Sequence, residues 1–363
     1  MKSWDEKWLL KKKNYLLKRL GNTKNDDIKF KIVQMIGCLD DALNYISDPD
    51  SIIKYPSILN GLGEDKVFHD EFKTYLGDIA DFYTGFYFNM PEEPLELDTI
   101  NTSSSKILSV SREFYKEIKP CFADRLSNNI MNCNLRVRFE NGNNDSYYTG
   151  QTFPIFDTDL CLVSVNLNNK STDYFNLIHE YGHVLNHSFD RYQMFDFDKY
   201  PLQEVTSLFF ELVAGDYLID NGLDKRDITR NFIHIFRDGV SAAGINVFRS
   251  ELIRNINLFD NDEDVIKYLD NNFFDKDLIE FSKDNLMRES MNYVFSYIIA
   301  VELYMKYLKD KDEALNLLVR IMKISNLNAE DYYNYITSIG ITPLYNMSEY
   351  LDSLKGKQLK YGK

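Results

Sequence analysis

Long apolar runs are missing from this 363-residue chain. The longest lies around Tyr293 to Val301 and falls well short of the roughly 20 residues a helix needs to cross a bilayer. Basic charge is also in deficit. With 42 Lys and Arg against 56 Asp and Glu, the net charge is −14. Such a surface repels nucleic acid backbones and anionic membranes, so neither is an expected partner. Cysteine is sparse: Cys38, Cys121, Cys133 and Cys161 are scattered, with no CxxC pair. That spacing speaks against a zinc knuckle or a disulfide framework. They read as reduced core residues of a cytoplasmic protein. No Gly-rich phosphate loop is present, because "GLGED" lacks the Lys-Ser/Thr that gives such a loop meaning. Internal repeats and low-complexity segments are lacking too. The first residues, "MKSWDEKWLLKKKNYLLKRL", carry charge throughout and read as an amphipathic helix, not a signal peptide.

Histidine is scarce as well, with five in the chain, yet His179, His183 and His187 crowd into "NLIHEYGHVLNHSF". The surroundings of that stretch show a clear texture. From the N-terminus to about Asn132 the pattern is helical. "DDIKFKIVQMIGCLDDALNYI" and "EDKVFHDEFKTYLGDIADFYTGFYF" have apolar residues at helical spacing. "SDPDSIIKYPSILNGLG" between them reads as a loop, "MPEEPLELDTINTSSS" as a second break, and "KILSVSREFYKEI" as a further helix. From about Asn134 to Leu167 the period changes to two. "LRVRFE", "YYTGQTFPIF" and "LCLVSVNL" read as strands, with "NGNND" as a turn. After that the chain reads as helix to its end. The expected fold is mostly α with a small β-sheet just before the histidine cluster.

Ser171 to Phe189 predicts one helix, with Ser171, Thr172 or Asp173 able to cap it and Phe175, Ile178, Val184 and Leu185 as core contacts. His179 and His183 are four apart and share a face, close enough to hold one metal ion. Glu180 follows the first histidine and points about 100° around the axis, so it flanks the metal without binding it. The segment His179-Glu180-Tyr181-Gly182-His183 is an H-E-x-x-H motif. Its chemistry is that of zinc with an open position for water, and a carboxylate to take the water's proton. Gly182 permits close approach of another backbone. His187 reads as a core histidine. A third ligand is expected from a second helix. In "YPLQEVTSLFFELVAGDYLI", Pro201 suits the first turn, and Glu204 and Glu211 are seven apart on nearly one face of an apolar helix. Buried there, the two acids require partners, which a metal for one and a ligand-histidine N–H for the other would supply.

These segments together resemble the thimet oligopeptidase and oligoendopeptidase F family of zinc peptidases. "VSVNLNNKSTDYFNLIHEYGHVLNHS" is similar to the family's strand, Asn-rich turn and H-E-x-G-H helix. "EVTSLFFE" resembles its E-x-x-S-x-x-x-E helix, and "NYVFSYIIA" its tyrosine-rich helix. The resemblance spans roughly residues 135 to 305. It implies a zincin-like fold with a deep cleft between two helical halves, taken as residues 1–132 (a cleft wall) and 133–363 (the catalytic half). It further implies one zinc ion per chain on His179, His183 and Glu204, and Glu211 holding a ligand histidine. Glu180 would be general base and then general acid, with Tyr293 or Tyr297 stabilising the oxyanion and Tyr297 favoured. The implied substrates are short unfolded oligopeptides cut at internal bonds. An extended peptide is expected to add to the sheet edge near Phe153 to Val165. Family members are longer. They often carry a histidine where Met287 and Arg288 stand here, and Phe295 replaces one tyrosine. One rival reading is therefore a catalytically weakened peptide-binding protein on the same scaffold. Another is an aminopeptidase, for which no Gly-x-Met-Glu-Asn segment is seen.

Overall fold

A computed structural model describes residues 5–47, 58–92, 103–131, 135–139, 150–154, 161–167, 170–189, 204–272, 287–324, 327 and 329–361. Pro201, Cys133 and the "NGNND" turn lie outside these residues, as does the side chain of Arg288. The first helices are α1 (Glu6–Asn22), α2 (Asp26–Ser47), α3 (Ile58–Glu71), α4 (Lys73–Phe86), α5 (Ser104–Ile118) and α6 (Pro120–Met131). Asp5 and Ser103 cap α1 and α5 by accepting from the amides of Trp8 and Lys106.

Two segments depart from their sequence pattern. The segment from Glu64 to Phe88 breaks at Phe72, whose backbone (φ −106°, ψ 16°) leaves the helical region while its ring is fully buried. Residues 58–63, expected as loop, are the first turns of α3. The Asp262 carboxylate accepts from the amides of Ile58 and Leu59 at 3.1 Å each, and Leu62 is fully buried. A cap supplied from 200 residues away outweighs two glycines in the local sequence.

Strands β1 (Leu135–Phe139), β2 (Gly150–Pro154) and β3 (Cys161–Leu167) form one sheet in the order β1-β3-β2. β1 runs parallel to β3 and β2 antiparallel to it, with Thr152 opposite Val163. The sheet is covered on both faces. Phe153 and Leu162 pack with Leu9, Cys38, Leu39 and Ala42 of α1 and α2, while Cys161, Val163, Val165 and Leu167 turn to the larger core. Every residue of β3 is buried, as a central strand between two layers requires.

Then follow α7 (Thr172–Phe189), α8 (Glu204–Asp220), α9 (Lys225–Arg254), α10 (Asp262–Asn272), α11 (Met287–Lys309), α12 (Lys311–Ile321), α13 (Ala329–Ser338) and α14 (Met347–Tyr361). α8 packs against α7 on one side and α11 on the other, and α9 lies against α4, α11 and α14. α8 is apolar nearly all round, as suits a helix packed between others. The main core draws on both ends of the chain, from Leu62, Phe72 and Tyr115 through to Tyr350 and Leu354. Two buried polar ties fix helices that bear on the histidine segment. The Tyr115 hydroxyl donates to the Ile178 carbonyl at 2.6 Å, joining α5 to α7. Asp65 pairs with Arg249 in the core and also accepts from the Met287 amide at 3.1 Å, joining α3 and α9 to the start of α11. Cys38 and Cys161 are buried free thiols, as expected, but Cys121 is exposed because the second position of α6 faces solvent. No helix among the described residues is long and apolar enough to cross a membrane.

Candidate metal centre and peptidase site

α7 and α8 meet where Gly182 faces Ser207. A Cβ on Gly182 would lie 2.6 Å from the Ser207 Cα, so only glycine lets these helices approach as they do. That contact brings Glu204, in the first turn of α8, over the His179–His183 face of α7. His179 Nε2 lies 3.1 Å from Glu204 Oε2, His183 Nε2 lies 3.3 Å from the same oxygen, and the two ring nitrogens are 3.1 Å apart. These are the three groups whose ligand atoms gather in one place among the described residues.

The fit to a metal can be tested on this geometry. Three ligand atoms on a tetrahedral zinc, with bonds near 2.0–2.1 Å, are separated from one another by about 3.3 Å. The observed separations match. Glu204 Oε2 is buried and has no aligned hydrogen-bond partner, although both ring nitrogens are within hydrogen-bond distance. Three ligand atoms at these separations leave room for one metal ion between them. Electrostatics agree. Burial lowers the tendency of His179 to protonate, yet the adjacent carboxylates of Glu204 and Glu211 outweigh it and hold the ring well above its ordinary value. Burial likewise opposes ionisation of Glu204, but the charges and contacts of His183 and His179 hold its carboxyl below the usual range. A centre with this balance selects a positive charge, whether proton or metal ion.

Glu211 sits two turns beyond Glu204, and its Oε1 is 2.6 Å from His179 Nδ1. An Nδ1–H donated there leaves the Nε2 lone pair facing Glu204. His187 is fully buried one turn beyond His183 and stands apart from the three converging groups. Glu180 is buried and belongs to a different contact. The Thr152 hydroxyl of β2 donates to its Oε2 at 2.5 Å, and a Cβ on Gly150 would lie 2.6 Å from its Oε1. Burial raises the Glu180 carboxyl, against the pull of His183, His179 and Thr152.

The two tyrosines of α11 are placed differently. Tyr297 is fully buried, its ring against Phe82 and Phe236, and its hydroxyl 3.5 Å from that of Tyr350. Tyr293 is half-buried; burial raises its phenol, and the charges of Asp238, Glu211 and Glu204 add to the rise. Its hydroxyl therefore stays protonated on the side of the carboxylate cluster. Sequence reasoning missed Thr152, Gly150 and Asp238. The alternation along β2 held a signal for the first two, because Phe153 faces the α1–α2 layer and so turns 150 and 152 the other way.

No family model matches the sequence, and a search of curated proteins finds no match. Solved structures do match. A Bacillus anthracis protein described as an oligoendopeptidase F aligns over 92% of this chain at 13% identity and TM-score 0.52. PZ peptidase A, solved with an inhibitor, aligns over 92% at 13% identity and TM-score 0.52. A Chlamydophila abortus protein described as a peptidase aligns over 84% at 17% identity and TM-score 0.51. The chain spans 62%, 66% and 55% of these proteins, respectively. A likeness at such low identity establishes the architecture: this chain has a mostly helical, oligoendopeptidase F-like fold with a small sheet set against the histidine helix.

Proposed function

We propose that the protein is a zinc-dependent endopeptidase of oligopeptides that binds one zinc ion per chain through His179, His183 and Glu204. The observation that carries this reading is the convergence of those three ligand atoms next to a buried carboxylate, Glu180, that takes no part in the convergence. The architecture shared with solved peptidases supports it. A zinc ion held there supplies Lewis acidity toward a peptide carbonyl and lowers the pKa of an adjacent water to roughly 7. The chain's own residues do the rest. Glu211 fixes the His179 ring through Nδ1 and keeps Nε2 as a ligand. Glu180 accepts the proton of the attacking water and delivers it to the leaving amine, and its raised pKa suits that exchange. Tyr293 donates its hydroxyl hydrogen to the oxygen on which negative charge grows. The buried Tyr297 supports the helix beneath it. The helices before residue 132 would wall the substrate cleft, and an extended peptide would lie along the sheet edge near β2. The free thiols Cys38 and Cys161 suit a cytoplasmic setting.

The test is direct. The zinc-loaded protein is incubated with a mixture of short peptides and the products are read by mass spectrometry. Internal cleavage is expected, and Glu180→Gln should retain zinc while losing roughly 10²–10⁴-fold in rate. Binding without cleavage would establish a peptide-binding protein instead, and removal of terminal residues alone would establish an exopeptidase. A Glu180→Gln protein that still cleaves with zinc bound ends the mechanism.

A further inference from the structure

The assignment of Glu180 as a base leaves a physical problem. Three carboxylates crowd two histidines in this centre. Glu204 faces the ring nitrogens, and Glu211 is tied to His179. Glu180 is drawn to the same histidines by charge, and a long flexible side chain could answer that pull. A carboxylate that swung over would join the ligand set and close the position a water needs. Something must hold it back.

The holding groups come from β2. Thr152 is fixed along the sheet by its register opposite Val163, whose side chain belongs to the main core. A β-branched residue in a strand has little rotamer freedom. Its hydroxyl donates to Glu180 Oε2 at 2.5 Å and also lies 3.3 Å from the Glu180 carbonyl oxygen. Two residues away, bare Gly150 leaves room for the rest of the carboxylate. A Cβ there would come within 2.6 Å of Oε1, 2.8 Å of Cγ and 2.9 Å of Cδ. The group is therefore gripped on one oxygen and walled on the other side by backbone.

Resting on the peptidase reading, we propose that Thr152 is a positioning residue that holds the Glu180 carboxylate on the β2 side, outside the metal-ligand set, by occupying Oε2.

Thr152→Val removes the hydroxyl at nearly constant volume, and Thr152→Ser keeps it. We expect the valine variant to lose at least about tenfold in kcat with KM within about twofold, and the serine variant to recover most of the loss. A second readout needs no turnover. In metal-free protein, Thr152→Val should lower the urea midpoint more in the native background than in a Glu180→Ala background, because the bond to Oε2 needs both side chains while the contact with the Glu180 carbonyl survives there. Unaltered kcat in Thr152→Val, failure of serine to rescue, or equal midpoint shifts in both backgrounds would each overturn the proposal. A wild-type protein that cleaves no peptide overturns the peptidase reading and the role of Thr152 with it. An active wild type with an indifferent Thr152→Val overturns the positioning role alone.

Discussion

The two tyrosines of α11 lie on a shared helical face but in different surroundings. Tyr293 and Tyr297 are four apart; spacing alone reads them as a core aromatic stripe, and the family resemblance favoured Tyr297. The structure buries Tyr297 among Phe82, Phe236 and Tyr350 and leaves Tyr293 in the field of Glu204, Glu211 and Asp238. Tyr293→Phe is expected to lower kcat by roughly 10²–10³ with little change in melting temperature. Tyr297→Phe should leave kcat near wild type. Steady-state kinetics of the two variants decide this, and a reversed order would return the oxyanion role to Tyr297. Asp238 carries a stability signature of its own. It reaches solvent on α9 but is hemmed in by protein, and that partial burial, with the charge of Glu211 added and Arg237 opposing, pushes its carboxyl up to about 6. The ordinary value for Asp is about 3.9. The folded state therefore binds more protons in this window, and stability falls as pH rises through it. The destabilisation is absent below the lower value and complete above the upper one. Asp238→Asn should accordingly raise the melting temperature at pH 7.5 and raise it less at pH 4.5. An equal gain at both would show that charge is not the cause.

At the scale of elements, the crossing of α7 and α8 sets the geometry of the candidate metal centre. His183 and Glu204 belong to different helices, and the Gly182–Ser207 contact sets how near they come. Gly182→Ala puts a methyl group 2.6 Å from the backbone of α8, which cannot yield as a side-chain tip would. Overpacking of this kind costs typically 1–3 kcal/mol. The ligand separation must widen with it. We expect weaker zinc binding by more than tenfold in chelator competition, alongside a lower denaturant midpoint. Wild-type zinc affinity in Gly182→Ala would mean that the ligands adjust independently of the helix crossing. The same scale explains the misread start of α3. Local residues 58–63 contain two glycines, whereas the amides of Ile58 and Leu59 are capped by Asp262.

For the whole molecule, the question is whether metal or core holds the fold. The main cluster runs from Leu62 to Leu354 through α4, α8, α9 and α11, and the ligand helices are buried in it by Leu177, Ile178, Leu208 and Phe209. Chelated protein should therefore keep its helical circular dichroism. Zinc should still stabilise by mass action, about 4 kcal/mol at a free concentration 1,000 times its Kd. Melting temperature measured against added zinc checks both statements. His183→Ala should show no such rise. Loss of helicity on chelation would make the metal a structural requirement, and absence of any zinc-dependent shift in the wild type would remove the site.

The sequence by itself determined the period of each element and which residues could form the candidate centre. His179, Glu180 and His183 are legible because a helix of fixed pitch turns a spacing of four into a shared face. Glu204 and Glu211 are legible because two acids on an apolar helix demand partners. The three strands and most helices follow from the same periodicities. Contacts made between distant segments were decided only by the tertiary structure. Thr152 and Gly150 reach Glu180 from a strand that local pattern marks only as polar on one face. Asp262 starts a helix two hundred residues earlier, and Tyr350 meets the hydroxyl of Tyr297 but lies on another helix. The partners in these contacts are not written in either segment, because close packing and long-range hydrogen bonds depend on which surfaces meet, and a one-dimensional pattern fixes only the faces available to meet.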